Sequence, residues 1–387
     1  MYPRLSDMIN DLFGTSIRLP IQTYGFFVAL AFVVGAFILY LELKRKEKQG
    51  ILSPVNKSIT KGKPAGIKEL AGSGLLGFLI GFKGLAMITN YSFFVENPQE
   101  FLLSGEGSII GGLLLAAASV FSTWRSYNKK KLPKPVVENV EVHPYELTAN
   151  FILLAAVTGI IGAKIFDILE NLSAFLANPI KTLFAFQGLT FYGGLIVAAI
   201  TLIWYARKNK IHWLIFVDSA APALLLAYCV GRLGCQFSGD GCWGIVNVNP
   251  KPEWLSFLPD WAWAFDFPHN VIREGELIEN CSGQFCRVLE QPVYPTSLYE
   301  SVMALIFFIF VWLIRKKIMI NGLLFSIYLV INGISRFLIE KIRVNPPYHI
   351  GSLEITQAEI ISFVLIIIGI TGSIYLILDH RKKTKKK

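Results

Sequence analysis

Nine apolar runs, each close to 20 residues long, limit what this chain can fold into. A helix needs about 20 predominantly apolar residues to cross the hydrocarbon core of a bilayer. The composition agrees, because 53% of the residues are hydrophobic and 17% are charged, whereas about a quarter are charged in soluble domains. The sequence therefore predicts an all-α, polytopic integral membrane protein that forms a single membrane domain over 1–387. The nine predicted transmembrane spans are 23–43, 70–90, 108–124, 147–168, 189–206, 212–234, 298–314, 321–341 and 356–378.

Basic segments alternate along the chain with loops that are acidic or mixed. They follow the first, third, fifth and seventh predicted spans, and a basic tail, 379–387, follows the ninth. Lys and Arg in short loops mark the cytoplasmic side of a membrane protein. We therefore predict an N-terminus outside, a cytoplasmic C-terminus and an outer-side segment, 236–297, between spans 6 and 7. Since nothing folded accompanies the tail, it favours contact with anionic lipid over nucleic-acid binding.

Two predicted two-helix units, 70–124 and 147–206, share a spaced pattern. One contains GFKGLAMITNYSFFVENP and the other GAKIFDILENLSAFLANP, with Gly, Lys, Asn and Pro at a constant offset and a GGL sequence further on. This pattern predicts that a unit of two helices is duplicated and that both copies have the same orientation in the membrane. In the second unit alone a tyrosine, Tyr192, precedes the two glycines Gly193 and Gly194. We therefore expect the second unit to retain a chemical role and the first mainly to pack.

Arginines and acids occur where spans 6 and 8 leave the membrane. In VGRLGCQFSGDGCWG, Arg232 and Asp240 lie among five glycines, and in NGISRFLIEKIR, Arg336 and Glu340 share one helix face. Charged residues are costly in a membrane and usually face the bundle interior, where they pair or act. A structural ion pair would be enough to explain Arg336 and Glu340, but it would not explain Arg232. Two arginines at similar depth favour a site for a phospholipid head group, because guanidinium groups bind phosphate bidentately.

Cysteines are concentrated in the segment between spans 6 and 7. Cys281 and Cys286 would lie on the oxidising side, so a disulfide and two free thiols both remain open. Paired histidines and CxxC spacing are missing from the segment, so zinc is not favoured there. We predict neither a metal nor another cofactor.

Taken together, the motifs resemble those of the prolipoprotein diacylglyceryl transferase family. GRLGCQFSGDGCWG is similar to that family's signature, usually G-R-x-G-N-F-x-N-G-E, and YGFF, GLTFYGGLI, VDSAAP, YPTSLYE and RFLIEKIR follow the family's order. The resemblance covers the first span and about 160–345. It implies an enzyme of the bacterial cytoplasmic (inner) membrane. The enzyme would move the diacylglyceryl group of phosphatidylglycerol to the lipobox cysteine of a prolipoprotein signal peptide, and glycerol phosphate would leave.

The resemblance also implies roles for individual residues. Arg232 and Arg336 would hold the phosphate, and Glu340 would orient Arg336. Asp240 matches the glutamate of the signature, and Tyr24 matches a tyrosine in the family's first span. The candidate catalytic residues are Asp240, Arg336, Glu340 and Tyr192. The candidate phosphatidylglycerol-binding residues are Arg232, Tyr24, Gly193, Gly194 and Gly239.

Several positions depart from the family's pattern. Tyr192 replaces a histidine, Cys235 replaces the signature's first asparagine, and Asn332 replaces a tyrosine. A phenol with a pKa of about 10 is a poor base at neutral pH, so a histidine-type base at position 192 is in doubt. Two alternatives to the enzyme stay open. One is a transporter of an anionic lipid or solute, and the other is a degenerate homologue that binds phosphatidylglycerol without turnover.

Overall fold

The computed structural model describes residues 1–91, 94, 101, 105–184, 190–281, 283–346, 348–350 and 353–385. Most of these residues are helical. The helices are α1 (Leu5–Phe13), α2 (Thr23–Lys48), α3 (Ile67–Thr89), α4 (Ile109–Lys129), α5 (Thr148–Glu170), α6 (Leu172–Ala177), α7 (Pro179–Phe184), α8 (Phe191–Lys208), α9 (Trp213–Ser238), α10 (Thr296–Ile314), α11 (Leu323–Glu340) and α12 (Gln357–Lys385). The strands form three antiparallel pairs: β1 (Val55–Lys61) with β2 (Val136–Val142), β3 (Glu276–Leu277) with β4 (Arg287–Val288), and β5 (Tyr348–Ile350) with β6 (Leu353–Ile355).

Within the described ranges, eight helices are long and apolar enough to cross a membrane: α2, α3, α4, α5 with the turn before it, α9, α10, α11 and α12. The prediction of an all-α polytopic membrane protein is confirmed. The span predicted at 189–206 corresponds to α8, an 18-residue helix whose last residues, Arg207 and Lys208, are basic. This helix is outside the set of eight, so the count of nine stays a prediction. The basic tail continues α12 as far as residue 385.

The helices have two distinguishable ends. At the glycine-rich end, α9 ends at Ser238 and α10 begins at Thr296; at the basic end, α2 ends at Lys48 and α8 ends at Lys208. α9 is the most buried of the candidate spans and packs along both α2 and α10. Near the glycine-rich end, a Cβ atom placed on Gly234 would lie 2.8 Å from Phe27 Cβ, so α2 and α9 are in close contact there.

Asp218 fixes the start of α11 against the first turns of α9. Its carboxylate accepts the backbone N–H of Gly322 at 2.6 Å and of Phe325 at 2.8 Å. A negative group at a helix N-terminus pairs with free N–H groups and with the positive end of the helix dipole. The contact sets the position of α11 relative to α9. It thereby helps to determine where the arginines on these two helices meet.

The two predicted repeat units make similar glycine contacts. α3 packs on α4, where a Cβ atom on Gly81 would overlap the Gly111 carbonyl oxygen; α5 packs on α8, where a Cβ atom on Gly162 would lie 2.6 Å from the Gly193 carbonyl oxygen. Small residues let helix backbones approach closely in membranes. The duplication of 70–124 and 147–206 stays a prediction from sequence, and Pro98, one of its matched positions, lies outside the described residues.

The segment 236–297 folds over the glycine-rich end. Trp243, Phe267 and Val293 form a buried cluster, and the Tyr2 N–H donates to the Phe237 carbonyl, which ties the N-terminal residues to the end of α9. Cys281 and Cys286 form a disulfide bond, which selects one of the two alternatives left open by the sequence. The location of this segment on the outer side of the membrane stays a prediction.

We predict that Gly244→Ala destabilises the glycine-rich end. A Cβ atom at Gly244 would overlap the Ile342 carbonyl oxygen and lie 2.9 Å from Thr296 Cγ2. Overpacking of this kind should lower the free energy of unfolding by about 1–3 kcal/mol. The measurement is thermal unfolding of the purified protein in detergent. Gly231→Ala is the matched control, because no described atom beyond its own stretch of α9 lies within 4 Å of that added Cβ. Equal melting temperatures for the two variants would contradict the prediction.

Candidate active site

Glu300 is the centre of an arginine cluster at the glycine-rich end. It lies in the first turns of α10, is 2% exposed, and its carboxylate accepts contacts from three arginines. Arg232 Nε lies 2.9 Å from Oε2, Arg336 Nη1 lies 3.2 Å from Oε1, and Arg343 Nη1 lies 3.5 Å from Oε1. The three arginines belong to α9, to α11 and to the turn after α11. One buried carboxylate therefore links α9, α11 and the turn after α11.

Arg232 is held from a second side by Tyr228, one helical turn earlier on α9. The Tyr228 hydroxyl donates to Glu300 Oε1 at 3.1 Å and accepts from Arg232 Nε at 2.9 Å. The guanidinium carbon lies 5.0 Å from the centre of the tyrosine ring, a distance typical of a cation–π contact. Three contacts therefore restrict the orientation of the Arg232 fork.

Arg336 lies between two carboxylates. Its Nη2 is 3.0 Å from Glu340 Oε2, one helical turn further along α11, and its Nη1 contacts Glu300. Asn345 Nδ2 donates to the other Glu340 oxygen at 2.6 Å. With Arg343, the cluster contains three guanidinium groups and two carboxylates. The cluster therefore carries one excess positive charge, which suits a phosphodiester anion.

The glycine-rich turn lies beside these arginines. α9 ends at Gly239, which has a φ of +65°, and Gly241 has a φ of +87°. Both angles lie in the left-handed region, which is readily accessible to glycine and to few other residues. The turn brings Asp240 Oδ1 within 3.1 Å of the Cys242 N–H, and the Cys242 carbonyl accepts from Thr296 Oγ1 at 2.8 Å. The turn and the start of α10 are thus bonded to each other.

Two thiols meet the Asp240 carboxylate in this turn. One ligand atom from each of Cys235, Asp240 and Cys242 lies within 4.8 Å of the others. A hydrogen bond from the Cys235 thiol lowers the pKa of the Cys242 thiol from its ordinary value. Arg232 Nη1 lies 3.9 Å from Cys235 Sγ. The thiols, the carboxylate and the arginine cluster therefore form one continuous site.

Tyr24 and Tyr192 approach this site from two other helices. Tyr24 is in the first turn of α2, is 44% exposed, and interacts electrostatically with Arg232 and Asp240. Tyr192 is in the first turn of α8 and interacts electrostatically with Arg336. The structure thus brings Tyr24, Tyr192, Arg232, Asp240, Arg336 and Glu340 to the same end of the bundle.

The three predicted binding glycines make their closest contacts with protein atoms. A Cβ atom on Gly193 would overlap the Phe166 side chain, and one on Gly194 would lie 2.7 Å from the Gly159 carbonyl oxygen. On Gly239 it would lie 2.9 Å from Asn270 Cβ. Helix and loop packing explain why these positions are glycine. The contact of these three glycines with lipid stays a prediction.

The candidate site residues named from the sequence do not include Glu300, Arg343, Cys235 or Cys242, although Glu300 and Arg343 are charged positions at the ends of predicted spans. Glu300 has one visible signal, since it is a charged residue at the start of an apolar run. The two cysteines are seven positions apart, with two glycines between them, a spacing that allows the chain to fold back. The pairing of Arg343 with Glu300 has no signal in local sequence.

Comparisons with known proteins identify a family and relatives of this chain. A family model described as "Prolipoprotein diacylglyceryl transferase" matches residues 110–375. A phosphatidylglycerol–prolipoprotein diacylglyceryl transferase of Clostridium novyi is 28% identical over 275 residues, which cover 71% of this chain and 93% of the relative. Proteins of the same name from Streptococcus sanguinis and Lysinibacillus sphaericus are 32% and 30% identical, each over 60% of this chain and over 79% and 77% of the relative.

We predict that Glu300→Gln weakens the whole cluster. The amide keeps the shape of the side chain but removes the anion that the three arginines share. Breaking a buried ion pair from one side costs about 3–5 kcal/mol, and we expect a destabilisation of that order. Thermal unfolding in detergent measures it. Glu290→Gln, at an exposed position in the segment before α10, is the control. Unchanged melting of the Glu300 variant would show that the arginines are held together by other contacts.

Proposed function

The chain belongs to the prolipoprotein diacylglyceryl transferase family, and we propose that it transfers the diacylglyceryl group of phosphatidylglycerol to the lipobox cysteine of prolipoproteins. The observation that carries this proposal is the arginine cluster on Glu300, beside a turn that contains Asp240. The enzyme would work in the bacterial cytoplasmic (inner) membrane. Its N-terminus and glycine-rich end would face outside and its C-terminus the cytoplasm, in line with the basic segments at the other end.

Phosphate binding follows from the excess positive charge of the cluster. Arg232 contacts its partners through Nε and both Nη atoms, and Arg336 contacts its two carboxylates through Nη1 and Nη2. Each Nη atom carries two N–H groups, so both guanidinium groups keep donors that can meet a ligand. A guanidinium fork binds two phosphate oxygens at once and keeps its charge at any working pH. The head group would bind here while the acyl chains stay in the bilayer. Tyr24, Gly193, Gly194 and Gly239 would complete the lipid-binding side of the site.

The proposed reaction is an alkylation of sulfur. Asp240 accepts the proton of the peptide thiol, and the resulting thiolate attacks the glycerol carbon that is bonded to the phosphate oxygen. That carbon–oxygen bond breaks, and its electron pair leaves on glycerol phosphate. Arg232 and Arg336 stabilise the growing charge on the phosphate oxygens. Glu340 orients Arg336, and Tyr192 donates a hydrogen bond to the phosphate.

The two alternatives are less well supported. A transporter would place its charged groups near the bilayer midplane. Here the arginines and the acids of the candidate site lie at one end of the helices, around the starts of α8 and α10 and the ends of α9 and α11. A lipid-binding homologue without turnover would not need a carboxylate beside the phosphate site, whereas the enzyme uses Asp240 there.

A transfer assay tests the proposal. Purified protein is incubated with phosphatidylglycerol micelles and a peptide that contains a lipobox cysteine, and the thioether product is measured by mass spectrometry. We expect Arg232→Lys to lower turnover by about 10²–10³-fold, because a point charge cannot replace the fork. Arg207→Lys, at the basic end, is the control and should keep wild-type turnover. Lipid movement or saturable binding without product would support the transporter or the non-catalytic homologue instead.

We predict different kinetic effects for the two acids. Asp240→Asn removes the group that activates the thiol, so kcat should fall by about 10²–10⁴-fold with little change in apparent lipid affinity. Glu340→Gln frees the Arg336 guanidinium, so the KM for phosphatidylglycerol should rise while part of kcat remains. Saturation kinetics in phosphatidylglycerol measure both. The roles are reversed if Asp240→Asn changes only KM and Glu340→Gln abolishes the chemical step.

A further inference from the structure

A cavity of about 930 Å³ lies beside the end of α9. The N-terminal residues form one wall, the stretch around the Cys281–Cys286 disulfide forms another, and the last turn of α9 closes the side between them. Sites that bind molecules of drug size measure about 300–1,000 Å³. The cavity therefore has room for a few residues of an extended peptide or for a ligand of similar size.

Gln236 brings an unsatisfied acceptor to this cavity. It lies in the last turn of α9 and lines the cavity, and its side chain is 3% exposed. Among the residues that the structure describes, none donates a hydrogen bond to its Oε1. A buried acceptor without a donor costs free energy, which a ligand N–H group would recover after a small rotation of the amide. The family signature has phenylalanine at this position, so the amide is a departure of this chain from the family's pattern.

The lining of the cavity favours a polypeptide over a second lipid head group. With histidine counted as neutral, two carboxylates, Asp7 and Asp11, outnumber one guanidinium group, that of Arg4. An excess of negative charge opposes a phosphodiester, whereas it favours neutral or basic residues. Trp261 and Phe265 add aromatic surface on which peptide side chains can pack. The chemistry of the lining thus differs from that of the arginine cluster.

Hydrogen bonds hold two walls of the cavity in place. The Tyr2 N–H donates to the Phe237 carbonyl at 2.8 Å, and the Tyr2 hydroxyl donates to Asp11 Oδ2 at 2.5 Å. In the wall near the disulfide, His269 Nδ1 donates to the Phe285 carbonyl at 2.8 Å. A site whose walls are already ordered pays less entropy when a ligand binds.

The cavity adjoins the proposed reaction site along α9. Gln236 follows Arg232 by one helical turn, so the two side chains share a face of the helix and lie about 5–6 Å apart at Cβ. An extended residue spans about 3.3–3.6 Å, so a peptide whose cysteine lies beside Arg232 would reach the cavity within a few residues. The apolar part of a signal peptide precedes the lipobox cysteine and would stay in the bilayer. The residues after the cysteine are then the part of the substrate that can enter the cavity.

We propose that this cavity binds the peptide segment that follows the lipobox cysteine, and that the Gln236 amide accepts a backbone N–H from it. The inference rests on the proposed function, because it assigns a site to one part of the proposed peptide substrate. A backbone contact does not depend on the sequence of the segment. Asp7 and Asp11 add a preference, because they favour basic over acidic side chains after the cysteine.

Peptide binding can be measured without turnover. The full-length protein in detergent is titrated with a fluorescent lipobox peptide that has serine in place of its cysteine, with and without the residues that follow. We expect the long peptide to bind about tenfold more tightly, the effect of one hydrogen bond to a buried group. Lysines after the serine should improve binding by about threefold relative to glutamates.

Three variants connect these effects to the cavity. In Gln236→Leu the long peptide should bind no more tightly than the short one, whereas Gln236→Asn, which keeps an amide, should retain part of the difference. Asp7→Asn combined with Asp11→Asn should remove the preference for lysine. Asp260→Asn is the matched control for charge, because that exposed acid pairs with Lys251 outside the cavity. Equal effects of the control and the double variant would overturn the charge preference.

A photoreactive peptide locates the bound segment even if a Gln236 variant fails to fold. With a benzophenone side chain after the serine, irradiation of the wild-type protein should crosslink the peptide to 1–11 or to 261–285, as identified by mass spectrometry. With the benzophenone before the serine, these two stretches should not be labelled. If photoreactive phosphatidylglycerol labels them and the peptide does not, the cavity is a lipid site and the inference is wrong.

The transfer assay separates this inference from the proposed function. The cysteine forms of both peptides should give thioether, and the short one should have the higher KM for peptide at an unchanged KM for phosphatidylglycerol. Equal affinity and equal KM for the two peptides, with product formed, overturn the cavity and leave the proposed function intact. Binding of the long peptide that depends on Gln236, without product from either peptide, overturns the proposed function and leaves the cavity.

Discussion

The buried carboxylate of Glu300 is the contact on which the rest of the site depends. Arg232, Arg336 and Arg343 would repel one another at this distance, and a shared anion with restricted access to water holds them together. The anion is itself fixed, because α10 starts at residues that hydrogen bond to the carbonyl of Cys242. The same short stretch of chain therefore sets the spacing between the phosphate-binding groups and the thiol-bearing turn.

Arg232 lies between two chemically different halves of the site. On one side it contacts Glu300 and Tyr228, and on the other it faces Cys235 Sγ. A nucleophile and a leaving group that react in line must lie on opposite sides of the attacked carbon. Arg232 is suited to hold the phosphate in that geometry, because its fork is rigid and its charge does not change with pH.

Local patterns in the sequence predict only part of this arrangement. Apolar length identifies the helices, and the four-residue spacing of Arg336 and Glu340 predicts their pairing, because residues one turn apart share a helix face. Glu300 meets its arginines only after three helices have packed, and no local pattern encodes that. For Gly193 and Gly194, the local pattern is visible in the sequence but has two interpretations. A pair of glycines beside a tyrosine is compatible with ligand binding and with helix packing, and only the contacts with α5 reveal the packing.

The excess positive charge of the cluster also explains why a carboxylate belongs at its centre. Phosphatidylglycerol carries one negative charge on its phosphodiester, whereas the departing glycerol phosphate acquires a second. Three arginines without Glu300 and Glu340 would bind the lipid and the product more tightly, which would favour retention of the product over turnover. With the two carboxylates present, the cluster carries one positive charge, which matches the single negative charge of the substrate. The guanidinium N–H groups then add most of their stabilisation as the second charge develops, which lowers the barrier instead of deepening the ground state.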